Sequence, residues 1–287
     1  MSRKLVVEFT KMEGAGNDFI VLDNRFLHFT ADELSDIADR FCPRRFGIGA
    51  DGLLAFEDDD DADFRMRYIN ADGSPATMCG NGARCIARLA VAAGIDGPDV
   101  TFATDAGMYR AHVPVDATKP VRLFVPEPRE WQEHVSLDQS LPDGIDTVHY
   151  IWTGTEHLVV PVRDAGAAPL AVWGPRLRKD PALQPEGANV NVVAEGKDVH
   201  SITVRTFEKG VEAETLACGT GVIASAIATS RLRGEDDLAT HPVTVHAEGG
   251  TLRVGRADTF DRAGHLYLEG PARSVFRGTF EWGGEER

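Results

Sequence analysis

The chain has 287 residues, is 43% hydrophobic and carries a formal net charge of −15. That much acid excludes a nucleic-acid partner, whose phosphates need a basic face. The apolar content supports packed cores, and a single core stops growing near this length, so two domains of roughly 140 residues each are expected.

The start, Met1 to Phe9, reads as a strand and lacks the apolar h-region of a signal peptide. No stretch approaches the ~20 apolar residues of a membrane helix, so the expectation is a cytoplasmic protein without a membrane partner. The first strand is predicted over roughly Leu5 to Thr10, and the glycines and Asn-Asp pair of Lys11 to Phe19 predict a tight loop. Ile20 to Asp23 resumes strand character. Thr30 with Glu33 forms a capping box that starts a helix ending near Cys42-Pro43. The acidic run Glu57 to Asp61 reads as a solvated loop rather than a metal site, because bare acidic side chains repel each other. Phe64 to Ile69 alternates as a strand and leads into the turn Asn70-Ala71-Asp72-Gly73.

Met78-Cys79-Gly80-Asn81-Gly82 then opens an alanine-rich helix that Gly94 stops. The pattern recurs in the second half. A strand over Ile202 to Phe207 and a turn at Glu208-Lys209-Gly210 precede Ala217-Cys218-Gly219-Thr220-Gly221, which opens another small-residue helix. Short strands are predicted at Val121–Val125, Thr147–Thr153, Leu158–Val162, Val243–Ala247 and Leu266–Leu268. The proline-rich stretches Pro126–Pro128 and Pro181–Pro185 read as loops. Cys79 and Cys218 stand 139 positions apart, near half the chain length, which predicts two similar halves.

Four cysteines without a CxxC give little support to a disulfide framework or a zinc site, so no metal is expected. Cys42 and Cys85 read as small buried apolar residues. Cys79 and Cys218 differ, because each precedes a helix whose first amide N–H groups and dipole favour a thiolate and can hold a carboxylate. The glycines are expected to let a ligand approach the backbone. Two such thiols suit inversion at a carbon next to a carboxylate, one removing the proton and the other delivering one to the opposite face. No phosphate-cofactor motif is present, and no cofactor is expected.

These segments resemble the diaminopimelate epimerase family. The resemblance is carried by Lys11-Met12-Glu13-Gly14-Ala15-Gly16-Asn17-Asp18-Phe19, Arg45-Phe46-Gly47-Ile48-Gly49-Ala50-Asp51, the two cysteine segments, Asn189-Val190-Asn191, Glu208-Lys209-Gly210 and Gly270-Pro271-Ala272, in order. It implies an α/β (α+β) fold of two pseudo-symmetric domains, each a β-barrel-like sheet around a central helix, and a homodimer. The halves would be 1–122, with the tail 274–287 packing back on it, and 123–273. It implies cofactor-independent conversion of LL- to meso-diaminopimelate in lysine biosynthesis, with Cys79 and Cys218 as the acid/base pair. His157 and Glu208 would tune the thiols, and Asn17, Asn70, Gly80, Asn81, Asn189, Glu208, Lys209, Gly219 and Thr220 would bind substrate. The chain departs from the family pattern at Lys209, where arginine is usual, at Glu156, where proline is usual, and at Gly52, where some members have glutamine. A racemase of another amino acid on this fold, or an amino-acid-binding or redox-sensing protein, is the alternative.

Overall fold

The glycine-marked segment after the first strand is a hairpin corner. A computed structural model, describing residues 5–235, 237–259 and 262–283, places β1 at Leu5–Gly14 and β2 at Asn17–Asp23. Only Ala15 and Gly16 lie between them, both with positive φ, 55° and 83°. Two left-handed residues match the twist of an antiparallel pair, so Lys11 to Glu13 extends the strand instead of forming the expected loop. The readings that fall on residues 1–4 and 284–287 lie outside the described residues.

After the short helix α1 (Asn24–Leu27), α2 (Ala31–Phe41) begins with the predicted capping box. Glu33 N–H donates to the Thr30 hydroxyl, and the Glu33 carboxylate accepts from Thr30 N–H. The strands β3 (Gly52–Glu57), β4 (Phe64–Asn70) and β5 (Pro75–Ala76) lead to α3 (Gly80–Ala92), and β6 (Asp99–Thr104) and β7 (Gly107–His112) follow. The main ladder runs β1–β2 antiparallel, β2–β3 parallel, β3–β4 antiparallel, β4–β6 parallel and β6–β7 antiparallel. α3 packs against β1 to β4. Its Ala83, Cys85, Ile86, Ala87 and Ala90 are all buried, as a helix running through a core requires.

β8 (Val121–Phe124) carries the chain into a second compact unit, Phe124–Glu269. There β9 (Arg129–Gln132), β10 (His149–Trp152), β11 (Glu156–Pro161), α4 (Leu170–Arg178), β12 (Asn189–Glu195), β13 (Ser201–Glu208) and β14 (Ala213–Thr215) precede α5 (Gly219–Leu232). β15 (Val243–Ala247), β16 (Gly250–Ala257) and β17 (His265–Gly270) complete it. The ladder runs β10–β11 antiparallel, β11–β12 parallel, β12–β13 antiparallel, β13–β15 parallel and β15–β16 antiparallel. This is the same succession of steps as in the first unit, with α5 packed on the strands as α3 is. β18 (Arg273–Trp282) belongs to the first unit, Met1–Leu123 with Gly270–Arg287, and pairs along the whole of β1 from Leu5↔Trp282 to Glu13↔Arg273.

The sequence reading names no element over α1, β5, β6, β7, β9, α4, β12, β14, β16 or β18, and it reads one 3-10 turn as loop; three of these cases have a visible physical reason. α4 occupies the place in the second half that α2 occupies in the first, but Pro175 lies inside it and no capping residue announces it. β12 hides behind two asparagines, although every residue from Asn189 to Ala194 is buried, as a strand covered on both faces must be. Pro181–Leu183 forms a 3-10 turn within a stretch expected to be loop.

Candidate active site

Cys79 is the residue immediately before α3, in extended backbone, so its thiol stands beside the first-turn amides of the helix. Its Sγ donates to Asn17 Oδ1 at 3.4 Å, and Asn81 Nδ2 donates to the same oxygen at 3.5 Å. Asn17 sits at the first position of β2, so the hairpin turn delivers it to the thiol. Behind the helix start, Arg84 is wholly buried. It donates to Gly80 O at 3.2 Å, Asn81 Oδ1 at 2.7 Å and Pro271 O at 3.3 Å. Asn70 is placed in its turn instead, donating to Ser74 Oγ at 3.0 Å.

A charged network supports Asn17. Lys11 Nζ donates to Asp18 and to Gly49 O, while Arg44 bridges Asp18 at 2.7 Å and Asp51 at 2.6 Å. Burial alone would raise the Asp18 carboxyl, but the hydrogen bonds and charges of Arg44 and Lys11 outweigh it and hold it at about 2. Asp51 in turn accepts from Asn17 Nδ2 at 2.5 Å. Sequence reasoning did not single out Asp51 or Arg84 as site residues, although Asp51 ends the Arg45–Asp51 segment and Arg84 lies two residues past Gly82.

In the second unit Cys218 holds the equivalent place before α5, with its Sγ 3.3 Å from the Thr220 hydroxyl. Thr153 Oγ1 donates to Thr220 O at 2.9 Å. The second glycine of each C-G-x-G is a packing residue rather than a ligand-facing one. A Cβ on Gly221 would stand 2.3 Å from Asn191 Oδ1, and one on Gly82 would stand 3.1 Å from the Leu54 side chain.

Asn189 and Asn191 lie two apart on β12 and so share a face. Both reach His157, which is wholly buried. Asn191 Nδ2 donates to Leu158 O at 2.9 Å and to His157 Nδ1 at 3.0 Å, and Asn191 Oδ1 accepts from the Thr206 hydroxyl. His157 Nδ1 is therefore an acceptor and the imidazole is neutral. Burial, with help from the Lys209 charge, pushes its pKa down to about 3. Its depressed folded value means that the unfolded chain takes up the proton first as pH falls below the usual 6.5. The stability that neutral His157 contributes is complete above that value and is lost on the way down to about 3. Between about pH 7 and about pH 5 it should cost about 2 kcal/mol, and His157→Gln should lose that much of the slope. Urea unfolding of both proteins at the two pH values checks this, and parallel pH dependences would contradict it.

Glu208, at the end of β13, is pushed up by burial, partly offset by the Thr215 hydroxyl donating at 3.0 Å. Lys209 N–H donates to Asn189 Oδ1 at 2.8 Å, and Lys209 Nζ donates to Glu156. Glu156, raised by burial, is lowered on balance by Lys209 and Thr155. Two of the departures from the family pattern thus pair with each other. The third is also compensated: a side chain at Gly52 would begin 2.7 Å from the Tyr68 ring. Among the described residues no group of three or more His, Cys, Asp or Glu is placed to hold a metal ion, and no helix is long and apolar enough to cross a membrane.

The chain matches the family model of diaminopimelate epimerase over residues 9–125 and 149–275. It is 40% identical over 271 residues to a diaminopimelate epimerase of Chlorobaculum tepidum, covering 93% of this chain and 99% of that one. With a diaminopimelate epimerase of Aquifex aeolicus it shares 37% over 280 residues, 95% and 97% of the two chains. Among solved structures, a phenazine biosynthesis protein of the PhzF family from Bacillus anthracis superposes with a TM-score of 0.72 at 16% identity, covering 96% of this chain and 99% of that one. A hydroxyproline epimerase from Agrobacterium vitis superposes at 0.68 and 16%, covering 98% and 94%. These two likenesses establish the fold. Given the extent of the sequence match, this chain belongs to the diaminopimelate epimerase family.

Proposed function

We propose that the protein is an isomerase that interconverts LL- and meso-diaminopimelate without a cofactor, in lysine biosynthesis, with Cys79 and Cys218 as its acid/base pair. The observation that carries this is the repetition: each thiol stands at the start of the core helix of one of two like-built units. One thiolate removes the α-proton and becomes a thiol. The other thiol gives its proton to the opposite face and becomes a thiolate, so charge and protons balance and the reverse reaction exchanges the roles. The amides that begin α3 and α5, at Gly80, Asn81, Gly219 and Thr220, are the donors for the α-carboxylate as the carbanion forms.

The remaining polar groups divide between the substrate's ends. Asn17, Asn70 and Asn189 are assigned to its carboxylate and ammonium groups, since an amide both donates and accepts. Glu208 accepts from an ammonium, whose charge would offset the burial that raises this carboxyl. Lys209 serves a carboxylate as a point charge that Glu156 already shares, so it gives looser recognition than an arginine fork. His157 acts on Cys218 through Asn191, which packs against Gly221 in the first turn of α5. A homodimer is the proposed assembly, because Val275 and Phe276 of β18 are 57% and 47% exposed. Light scattering should then give twice the mass of the 31.1 kDa chain, and a monomer mass would reject the dimer.

The test is incubation of the reduced protein with LL-diaminopimelate in deuterated buffer. Deuterium at the α-carbon together with the meso isomer supports the reading. No exchange with this substrate, but exchange with another amino acid, would replace it with a racemase of different specificity. Exchange with none of a panel would leave an amino-acid-binding protein.

A further inference from the structure

The amide of Asn17 has two ends alike in shape and opposite in chemistry, and its neighbours decide which one faces Cys79. One end lies 2.5 Å from Asp51 Oδ2. A carboxylate only accepts, so that end is the NH2 group. Asp51 is itself fixed: its Oδ2 also accepts from Asp18 N–H at 3.1 Å, and its Oδ1 takes Arg44 Nη2 at 2.6 Å. The carbonyl end of Asn17 is therefore the one beside Cys79 Sγ, at 3.4 Å. The neighbouring amide is fixed in the same way. Arg84 holds Asn81 Oδ1 at 2.7 Å, which turns Asn81 Nδ2 towards Asn17 Oδ1.

An amide oxygen accepts from S–H and repels S⁻, so it favours the protonated form of the sulfur it faces. We propose that Asp51 is a positioning residue: by pinning the Asn17 amide with its carbonyl towards Cys79, it favours the protonated form of that thiol. This rests on the two-thiol reading above.

Other charges act on the same sulfur. Arg84 and the first-turn amides of α3 favour the thiolate. Asp18 and Asp51 are offset by Lys11 and Arg44 in contact with them. Cys85, pushed up to about 12 by burial, remains a neutral neighbour. The fixed carbonyl is the contribution that one substitution can reverse.

The experiment is iodoacetamide alkylation of the full chain across the thiol titration range, read residue by residue by peptide mass spectrometry. Cys42 and Cys85 are buried and both pushed up to about 12, so they stay silent. In Asp51→Asn the carboxylate that admits only the NH2 end is gone, and the long contact from Asn81 Nδ2 at 3.5 Å is left to hold the Asn17 carbonyl, so the amide turns its NH2 to the sulfur in part of the population. The Cys79 midpoint then falls by about one pH unit while that of Cys218 stays. Loss of the Asp51 charge alone would act in the same direction, so the substitution is repeated in an Asn17→Ala background. There the shift is expected to vanish. A shift that persists without Asn17 assigns the effect to charge and overturns the proposal. An unmoved Cys79 midpoint in an Asp51→Asn protein that melts like the wild type overturns it too. If Asp51→Asn fails to fold, Asn17→Ala alone decides: removing the acceptor must lower the Cys79 midpoint, and no change refutes the idea. Alkylation needs no substrate, so this result stands whether or not diaminopimelate is turned over.

Discussion

Cys79→Ala is expected to slow the conversion of LL- to meso-diaminopimelate by at least about a thousandfold, and Cys218→Ala by a similar factor. A positioned acid or base contributes about 100- to 10,000-fold. Inversion needs both in one turnover, so the loss of either thiol leaves one face of the carbon to be served by water. The substitutions are mild for the fold. Both cysteines precede a helix, yet neither side chain hydrogen-bonds a backbone N–H there, so alanine removes a thiol and not a cap. Melting temperatures should stay near the wild-type value while turnover collapses. The two single variants and the double variant should be nearly equally slow, because residues that act as a unit are not additive. Initial rates followed by chiral separation check this. Full activity in either single variant would exclude the two-thiol mechanism, whatever the substrate.

Much of this arrangement can be read in the chain itself, because its signals are local. Thr30 and Glu33 mark a helix start by chemistry contained in four residues, and a C-G-x-G before an alanine-rich run does the same at Cys79 and Cys218. Features that depend on a partner far along the chain are not legible in this way. Asp51 acts on Asn17 from 34 residues away, and Pro271 meets Arg84 across 187. Nothing near any of the four announces the pairing. The glycines were legible as necessary but not as to their purpose. Gly221 exists because Asn191 occupies the space where a side chain would go, and Asn191 is brought there by β12, a strand whose own polar residues disguise it. The repeat offered a signal that went unused. A helix between β2 and β3 in the first half calls for one between β11 and β12 in the second, which is where α4 lies despite Pro175.

Arg84→Met should lower stability by about 3 kcal/mol, and two opposing effects decide that figure. Taking a guanidinium out of water costs several kcal/mol, and replacing buried charge by apolar groups is often neutral or stabilising when all the partners go too. Here the partners remain. Asn81 Oδ1 would lose a donor in a buried setting, at about 1–3 kcal/mol, and the half-buried Gly80 O and Pro271 O would each lose one at the lower end of that range. Methionine fills most of the volume and removes the desolvation cost of the arginine, which offsets part of that sum but supplies no donor. The orphaned acceptors therefore win. Lysine should recover only part of the loss, because a single ammonium cannot reproduce a planar fork that reaches the helix start and the β18 approach together. The effect should also reach the thiol. Without Arg84 the Asn81 amide oxygen loses this donor, and the first turn of α3 loses its tie to Pro271. At about 2–4 °C per kcal/mol, calorimetry should show a melting point lower by about 6–12 °C for Arg84→Met. A variant as stable as the wild type would mean that burying this charge costs as much as its three acceptors return. Arg84 would then be kept for what it does to Asn81 and Cys79 rather than for the fold.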